Sequence, residues 1–191
     1  LMLCCARSLP YHFANTKQKL WKNDRNGMEL TGKTLGILGL GAIGKELAKK
    51  AAAFGMKVLG YSRHIDESFC KEYGIIPADR ETILRESDVI SLHMPQTPLT
   101  KESINKDAFA QMKKGVILIN TSRGYLVNRA DLIDAIKAGI VASYGTDVMQ
   151  EEPPEVDDPL FSLDEVVITP HMGASTAEAH IKMMDVAMTN A

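Results

Sequence analysis

The glycine motif G-x-G-x-x-G, formed by Gly39, Gly41 and Gly44, constrains the fold more than any other feature of the sequence. An apolar run at 35–38 has the length of a buried strand, apolar residues at helical spacing follow the motif, and 57–61 has the composition of a second strand. A strand, a glycine turn, a helix and a second strand form a βαβ unit, in which this motif is typical of dinucleotide binding. The alternative is a glycine-rich turn of any α/β domain.

Each glycine has a physical reason in such a unit. Gly39 allows a tight turn after the strand, Gly41 lets a pyrophosphate approach the backbone, and Gly44 lets the helix pack close to the strand. The N–H groups at the helix N-terminus, at Ala42 and Ile43, attract phosphate through hydrogen bonding and the helix dipole. We therefore predict that these five residues bind NAD or NADP.

The end of the second strand is where such domains distinguish NAD from NADP. An acidic residue there accepts hydrogen bonds from the adenosine ribose and repels a 2′-phosphate, but no carboxylate occurs before Asp66. Ser62 can donate a hydrogen bond and Arg63 can pair with a phosphate, so we predict that NADP is tolerated or preferred. The alternative is that Arg63 is a solvated cation stacked over adenine.

Composition excludes several classes of function. The chain has 191 residues, 45% of them hydrophobic, and a net charge of −2, which is ordinary for a globular protein and gives no basic surface for nucleic acid. No apolar run is long enough to span a membrane, and the first residues lack the pattern of a secretion signal. Cys4, Cys5 and Cys70 have no metal or redox spacing, so we expect free thiols, no metal and a cytoplasmic protein.

Predicted strands and helices alternate along the whole chain. This pattern predicts a doubly wound α/β fold of the Rossmann type, with a mostly parallel sheet and helices on both faces. We expect a helical segment and connector at 1–30, a dinucleotide-binding domain at 31–175 and a C-terminal helix at 176–191.

Local signals refine the positions of several helices. Residues 1–22 look helical with an interruption at Pro10, a helix is predicted over 105–112, and Ser175 is the predicted N-cap of the last helix. The remaining predicted N-caps are Asp79, Asn105 and Asn128.

Three polar side chains follow predicted strands and suggest chemistry. Ligands of such sheets bind at the carboxyl ends of the strands, where Arg123, Glu152 and His171 all fall. A 2-keto acid needs a cation for its carboxylate and a proton donor for its carbonyl oxygen, and an acid beside an imidazole favours the charged form. The alternatives are an arginine that pairs locally in its turn and a solvated acidic run at Glu151 and Glu152.

Five stretches in order resemble the nucleotide-binding domain of the D-isomer-specific 2-hydroxyacid dehydrogenases. They are LTGKTLGILGLGAIGKELA, VISLHMPQTPLT, FAQMKKGVILINTSRG, GTDVMQEEPP and VITPHMGAST. The resemblance implies that Arg123 binds the substrate carboxylate, that His171 is the general acid/base and that Glu152 is its partner. Asp147 matches the residue that holds the nicotinamide carboxamide. The other matching positions that line the cofactor are His93, Pro95, Thr97, Thr121, Ser122 and Gly173.

The resemblance also sets expectations for the whole protein. EEPP and PHMGAST are most similar to phosphoglycerate dehydrogenases, which makes 3-phosphoglycerate one expected substrate among the D-2-hydroxy acids. The family's separate substrate domain has no counterpart in the sequence, so we expect it to be absent from this chain, and whether the native protein has one stays open. We also expect a homodimer. A second class, transcriptional corepressors of the same fold that sense dinucleotides, stays open, and turnover of 2-keto acids would distinguish the two.

The chain departs from the pattern of the family in two places. Ser62 stands where members that use NAD usually carry aspartate. Residues 124–129 read GYLVNR where GGLVDE is usual, so that Tyr125 replaces a second glycine. The first departure puts the choice of cofactor in doubt. The second could alter the substrate side of the cleft.

Overall fold

The computed structural model describes residues 1–189 and contains a seven-stranded sheet flanked by helices. The strands are β1 (Thr34–Leu38), β2 (Lys57–Tyr61), β3 (Ile76–Pro77), β4 (Val89–Leu92), β5 (Val116–Asn120), β6 (Val141–Thr146) and β7 (Val166–Ile168). The α-helices are α1 (Met2–Ala6), α2 (Leu9–Lys17), α3 (Ala42–Ala53), α4 (Glu67–Tyr73), α5 (Arg80–Glu86), α6 (Lys106–Phe109), α7 (Arg129–Lys137) and α8 (Ala177–Thr189). Short 3₁₀ helices cover Gly124–Leu126 and Pro159–Ser162.

The strand order is β3-β2-β1-β4-β5-β6-β7, and each neighbouring pair is parallel. The chain runs outward from β1 through β2 to β3, and then crosses back to β4 and runs outward on the other side. The direction of winding therefore changes between β1 and β4, where the loops that follow the two strands diverge and leave a crevice. The predicted doubly wound Rossmann-type fold is confirmed.

The sheet is buried on both faces. Along β5, Leu118 belongs to one apolar cluster, whereas Ile117 and Ile119 belong to the other, because successive side chains of a strand face opposite sides. The three side chains are at most 5% exposed. This burial explains why the strands read as continuous apolar runs in the sequence.

Side-chain caps fix the start of α4, α5, α6 and α7, as local sequence rules require. In each case the N-cap side chain accepts a hydrogen bond from the backbone N–H three residues later. The caps are Asp66 on α4 (3.0 Å), Asp79 on α5 (2.7 Å), Asn105 on α6 (3.2 Å) and Asn128 on α7 (3.0 Å). The last three confirm their predictions.

The N-terminal segment differs from the prediction. Residues 1–22 contain two helices, which are separated at Arg7 and Ser8 and not at Pro10. Pro10 lies in the first turn of α2, where its missing N–H costs no hydrogen bond. Residues 18–22 are not helical. Cys5 and Ala6 of α1 are only 4% and 3% exposed and pack in one of the two apolar clusters, so α1 is a flanking helix of the sheet.

Two later helices also differ from the prediction. The helix predicted over 105–112 ends at Phe109, because the chain turns toward β5 through Gly115, which has a φ of 86°. The cap of α8 is Thr176, whose hydroxyl accepts from the Ala179 N–H at 3.1 Å, and Ser175 lies before it. The C-terminal helix is described as far as Thr189, and the last two residues of the predicted 176–191 lie outside the described part. The domain limits at 30 and 175 stay predictions.

Candidate active site and cofactor cleft

The glycine turn lies in the crevice between β1 and β4. Gly39 has a φ of 111°, and a Cβ atom there would come 2.5 Å from the carbonyl group of His93. The N–H groups of Gly39 and Leu40 both donate to the Tyr61 carbonyl at 2.9 Å, which ties the turn to the end of β2. A Cβ atom on Gly44 would collide with the Gly39 carbonyl oxygen, so glycine at 44 lets α3 pack against the turn.

The N-terminus of α3 fits the pyrophosphate of a dinucleotide. Gly41 is its N-cap residue and offers no side-chain cap, so the N–H groups of the first turn at Ala42, Ile43 and Gly44 have no partner from that residue. A Cβ atom on Gly41 would meet nothing within 4 Å. This open space over unpaired N–H groups is where a phosphate can approach, and a side chain at Gly41 would fill it.

The end of β2 carries no free carboxylate near the ribose position. Ser62 is half-buried and Arg63 is exposed. Asp66, the first acid after the strand, accepts from the Lys45 ammonium at 2.6 Å and also caps α4. The hydrogen bond from Lys45 is the largest of the interactions that lower the pKa of Asp66. This carboxylate is therefore already engaged within the protein.

The loop after β4 carries three residues that were predicted to bind the cofactor, and it forms the other wall of the crevice. The His93 N–H donates to Leu38 at 2.8 Å, and its Nε2 lies 2.9 Å from the Ser91 hydroxyl. Thr100 holds the following turn, because its hydroxyl donates to the Pro95 carbonyl at 2.7 Å and accepts from the Thr97 N–H at 2.8 Å. His93 and Thr97 are half-buried, whereas Pro95 is exposed.

Burial of His93 predicts a stability that depends on pH. Desolvation lowers the pKa of the imidazole from 6.5 to about 4, so the unfolded chain binds the proton first as pH falls. The contribution of neutral His93 to the free energy of unfolding is fully present above about pH 6.5. As pH falls toward about 4, the free energy of unfolding decreases by up to about 3 kcal/mol. Urea unfolding at a series of pH values should show that His93→Gln flattens this part of the stability curve relative to the wild type. An unaltered slope in His93→Gln would contradict the assignment.

The turn after β5 presents Arg123. The Ser122 hydroxyl donates to the Leu92 carbonyl at 2.7 Å and so joins the ends of β4 and β5, whereas Thr121 is exposed. Arg123 is exposed, and its Nη1 donates to the neighbouring Ser122 carbonyl at 2.6 Å, which leaves the rest of the guanidinium available. A Cβ atom on Gly124 would collide with the Met149 carbonyl group, so this glycine is needed for the two segments to meet.

His171 and Glu152 form a close pair. The imidazole Nδ1 lies 2.6 Å from Glu152 Oε2, and the other carboxylate oxygen accepts from the Met149 N–H at 3.0 Å. The hydrogen bond with His171 is the first cause of a lowered pKa of Glu152, so the carboxylate is charged at neutral pH. Within the described part of the chain, the other ring nitrogen, Nε2, makes no hydrogen bond.

Asp147 holds the loop that carries His171. Its carboxylate accepts from the Thr169 hydroxyl at 2.6 Å and from the N–H groups of Met172 at 2.9 Å and Gly173 at 2.8 Å. Burial raises the pKa of Asp147, but these three hydrogen bonds outweigh it and the pKa is lowered. His171 has a φ of 50°, a left-handed conformation that costs energy for a residue other than glycine and that this network maintains. No pattern in the sequence indicates this supporting role.

Arg123, Glu152 and His171 line one pocket of about 280 Å³. Sequence reasoning predicted these three and associated Tyr125 with the substrate side of the cleft, but it missed Gln96 and Gln150, which also line the pocket. A larger cleft of about 640 Å³ shares Glu152 and His171 and is lined mainly by apolar and proline side chains. Within residues 1–189, no cluster of three or more His, Cys, Asp or Glu side chains could hold a metal ion. None of the helices in that range has the length and apolar character needed to cross a bilayer.

Comparison with known proteins identifies the family of the chain. Residues 1–173 match the family model described as "D-isomer specific 2-hydroxyacid dehydrogenase, NAD binding domain". The chain belongs to this family. Among curated relatives, it is 44% identical to a D-3-phosphoglycerate dehydrogenase of Archaeoglobus fulgidus, over 96% of this chain and 35% of the relative. It is 45% identical to a hydroxypyruvate reductase of Thermotoga maritima, over 94% of this chain and 58% of the relative.

Solved structures of D-2-hydroxyacid dehydrogenases share the fold. A glyoxylate reductase from Paecilomyes thermophila superposes with a TM-score of 0.92 at 32% identity, over 99% of this chain and 57% of that one. A D-lactate dehydrogenase with NAD⁺ from Lactobacillus jensenii gives a TM-score of 0.87 at 32% identity, over 98% of this chain and 61% of that one. The chain thus spans between about a third and three fifths of the length of these relatives. These four relatives are all dehydrogenases or reductases, and they give no support to the regulator alternative.

Proposed function

We propose that this chain supplies the NAD(P)-binding and proton-transferring part of a D-2-hydroxyacid dehydrogenase that interconverts a 2-keto acid and a D-2-hydroxy acid. The observation that supports it most is that Arg123, Glu152 and His171 line a single pocket, with the imidazole 2.6 Å from the carboxylate. This pocket provides an anchor for one carboxylate and a proton donor beside it. The glycine turn at the same edge of the sheet supplies the phosphate-binding site.

Each side chain has a distinct role in the proposed reaction. The Arg123 guanidinium binds the substrate carboxylate through paired hydrogen bonds. His171 gives a proton from Nε2 to the keto oxygen during reduction and takes it back during oxidation, while Glu152 stabilises the imidazolium and fixes the ring. The nicotinamide, when bound, supplies or accepts the hydride. Asp147 has one carboxylate oxygen with a single hydrogen bond, so it retains capacity to accept from the carboxamide.

For the cofactor, we propose that Ser62 and Arg63 accept a 2′-phosphate and that NADP is tolerated or preferred. Arg63 is exposed at the end of β2, and Asp66 is occupied by Lys45 and by the cap of α4. Among residues 62–66, which follow β2, no carboxylate is therefore free to repel a 2′-phosphate.

Replacing Arg63 tests the choice of cofactor. Arg63→Ala should weaken binding of NADPH more than binding of NADH, by about 1–3 kcal/mol for a lost charge-assisted contact. Ser62→Asp should shift preference toward NADH, because it places a negative charge against the phosphate. Lys57→Ala, which removes an exposed cation at the opposite end of β2, is the control. Equal losses for both dinucleotides, measured by calorimetry, would rule out the 2′-phosphate contact.

Replacing Arg123 tests the carboxylate anchor. Arg123→Ala should raise KM for the keto acid and lower kcat/KM by roughly 10- to 150-fold, which corresponds to about 1.5–3 kcal/mol for hydrogen bonds to a charged group. Arg123→Lys should recover only part of this loss, since an ammonium cannot make the planar bidentate contact. Full recovery by lysine would argue against a paired geometry.

A panel of 2-keto acids tests the function directly. The complete native protein should oxidise NADH or NADPH in the presence of at least one small 2-keto acid, and His171→Ala should abolish most of this turnover. Tight dinucleotide binding with no turnover of any acid in the panel would instead favour a sensor.

We also propose a homodimer in the cytoplasm. The large exposed apolar side chains of the N-terminal segment, which include Trp21 (94% exposed) and Phe13 (61%), support an interface there. The three cysteines are free thiols, which suits a reducing compartment. Light scattering should give twice the mass of the chain, and a monomer at micromolar concentration would contradict the dimer.

A further inference from the structure

Gln96 is an exposed residue that lines the same pocket as Arg123. Two other polar side chains of this pocket are already engaged, because the Tyr125 hydroxyl donates to Glu151 and the Gln150 amide donates to a backbone carbonyl at 3.1 Å. Within residues 1–189, the side-chain amide of Gln96 makes no hydrogen bond. An amide carries two N–H donors, so this side chain has donors available to a ligand.

The backbone on both sides of Gln96 is held in place by one hydroxyl group. Thr100 donates to the Pro95 carbonyl at 2.7 Å and accepts from the Thr97 N–H at 2.8 Å. The point at which the Gln96 side chain leaves the backbone is therefore fixed before any ligand binds. A donor that is positioned in advance loses less conformational freedom on binding than one on a mobile loop.

The loop that carries Gln96 is also tied to the turn that carries Arg123. The Ser122 hydroxyl donates to the carbonyl of Leu92, the last residue of β4, at 2.7 Å. In the sheet β5 lies between β4 and β6, and β7 lies beyond β6. Because Gln96 follows β4, Arg123 follows β5 and His171 follows β7, Gln96 and His171 lie on opposite sides of the arginine.

We propose that Gln96 is a substrate-binding residue, whose amide donates to the carboxylate of the 2-keto acid beside Arg123. The inference rests on the proposed dehydrogenase function and adds a neutral donor to the charged anchor. A carboxylate has about four acceptor sites on its two oxygens, so it can take a further hydrogen bond beside a bidentate arginine. The keto oxygen is directed to His171, on the other side of Arg123, and the amide therefore meets the carboxylate and not the reacting oxygen.

Steady-state kinetics of the complete native protein with hydroxypyruvate test this role. Gln96→Leu keeps the approximate size and removes the donors, so KM should rise about tenfold, the scale of a lost hydrogen bond to a charged group. The contact is the same in the ground state and the transition state, so kcat should stay within about twofold of the wild type. Gln96→Glu should raise KM further, because it places a negative charge against the carboxylate. Gln111→Leu, an exposed glutamine outside the pocket, should change neither constant.

A double variant tests whether Gln96 and Arg123 hold the same group. If both bind one carboxylate, Gln96→Leu with Arg123→Ala should raise KM by less than the product of the two single effects, by about threefold or more. Calorimetry should give the same affinity of Gln96→Leu for NADH and NADPH as that of the wild type.

Three results would overturn the inference while turnover of hydroxypyruvate leaves the dehydrogenase function standing. They are an unchanged KM in Gln96→Leu, a loss confined to dinucleotide binding, and single effects that multiply fully in the double variant. A wild type that turns over no 2-keto acid would contradict the dehydrogenase function, and the inference would fall with it.

Discussion

Replacing His171 with alanine should lower kcat for 2-keto acid reduction about a hundredfold or more, the usual scale for loss of a general acid. His171 lines the pocket, and its Nδ1 lies 2.6 Å from the Glu152 carboxylate. The other ring nitrogen, Nε2, is therefore the atom that can give a proton to a substrate. Binding of NAD(P)H should change little, because the phosphate site lies in the glycine turn. His180→Ala, an exposed histidine of α8, is the matched control. Activity within tenfold of the wild type would rule out His171 as the acid.

Replacing Glu152, the partner of His171, should slow reduction of the keto acid. Its carboxylate lies 2.6 Å from the imidazole Nδ1, and the hydrogen bond with His171 is the first cause of its lowered pKa, so it is charged at neutral pH. Glu152→Gln keeps the shape and removes the charge, so kcat should fall about tenfold, because a hydrogen bond to a charged group is worth about 1.4 kcal/mol more than one to a neutral group. A kcat equal to that of the wild type would show that Glu152 does not act through His171.

Replacing Gly41 with valine should abolish dinucleotide binding while the protein stays folded. The new side chain would project into open space in the absence of ligand, and it would occupy the place where a phosphate meets the first turn of α3. Gly41 has a φ of −84°, which valine can adopt. Gly44→Val is the contrasting variant, because its side chain would collide with the Gly39 carbonyl and lower the thermal unfolding temperature as well.

Calorimetry and thermal unfolding on the same samples distinguish a loss of binding in Gly41→Val from a loss of stability in Gly44→Val. The expected result is a Gly41→Val variant with an unfolding temperature near that of the wild type and no heat of binding at millimolar NADH or NADPH. Binding within tenfold of the wild type would contradict the placement of the pyrophosphate.

The sequence predicted those parts of the fold that depend on local chemistry. The glycine spacing identified the turn between β1 and α3, and Asp79 and Asn128 marked the helix starts that they cap. Arg123, Glu152 and His171 are far apart in the chain, yet a parallel sheet brings the carboxyl ends of its strands to one edge. That topological rule was enough to expect them in a single pocket.

What the sequence did not predict depends on contacts between distant segments. The Asp147 carboxylate holds the loop of His171 through two backbone N–H groups, which no side-chain pattern records. The pairing of Asp66 with Lys45 and of Tyr125 with Glu151 requires knowledge of how the loops meet. Helix ends were wrong where a tertiary constraint overrode local propensity, as at α6, which ends early so that the chain can turn into β5.

The configuration and rate of product formation test the central claim most directly. The complete native protein, supplied with hydroxypyruvate and NADH or NADPH, should form the D-hydroxy acid, and His171→Ala should form it at least about a hundredfold more slowly with unchanged cofactor affinity. Formation of the L-isomer, or a His171→Ala variant as fast as the wild type, would contradict the assignment of this pocket as the active site of a D-2-hydroxyacid dehydrogenase.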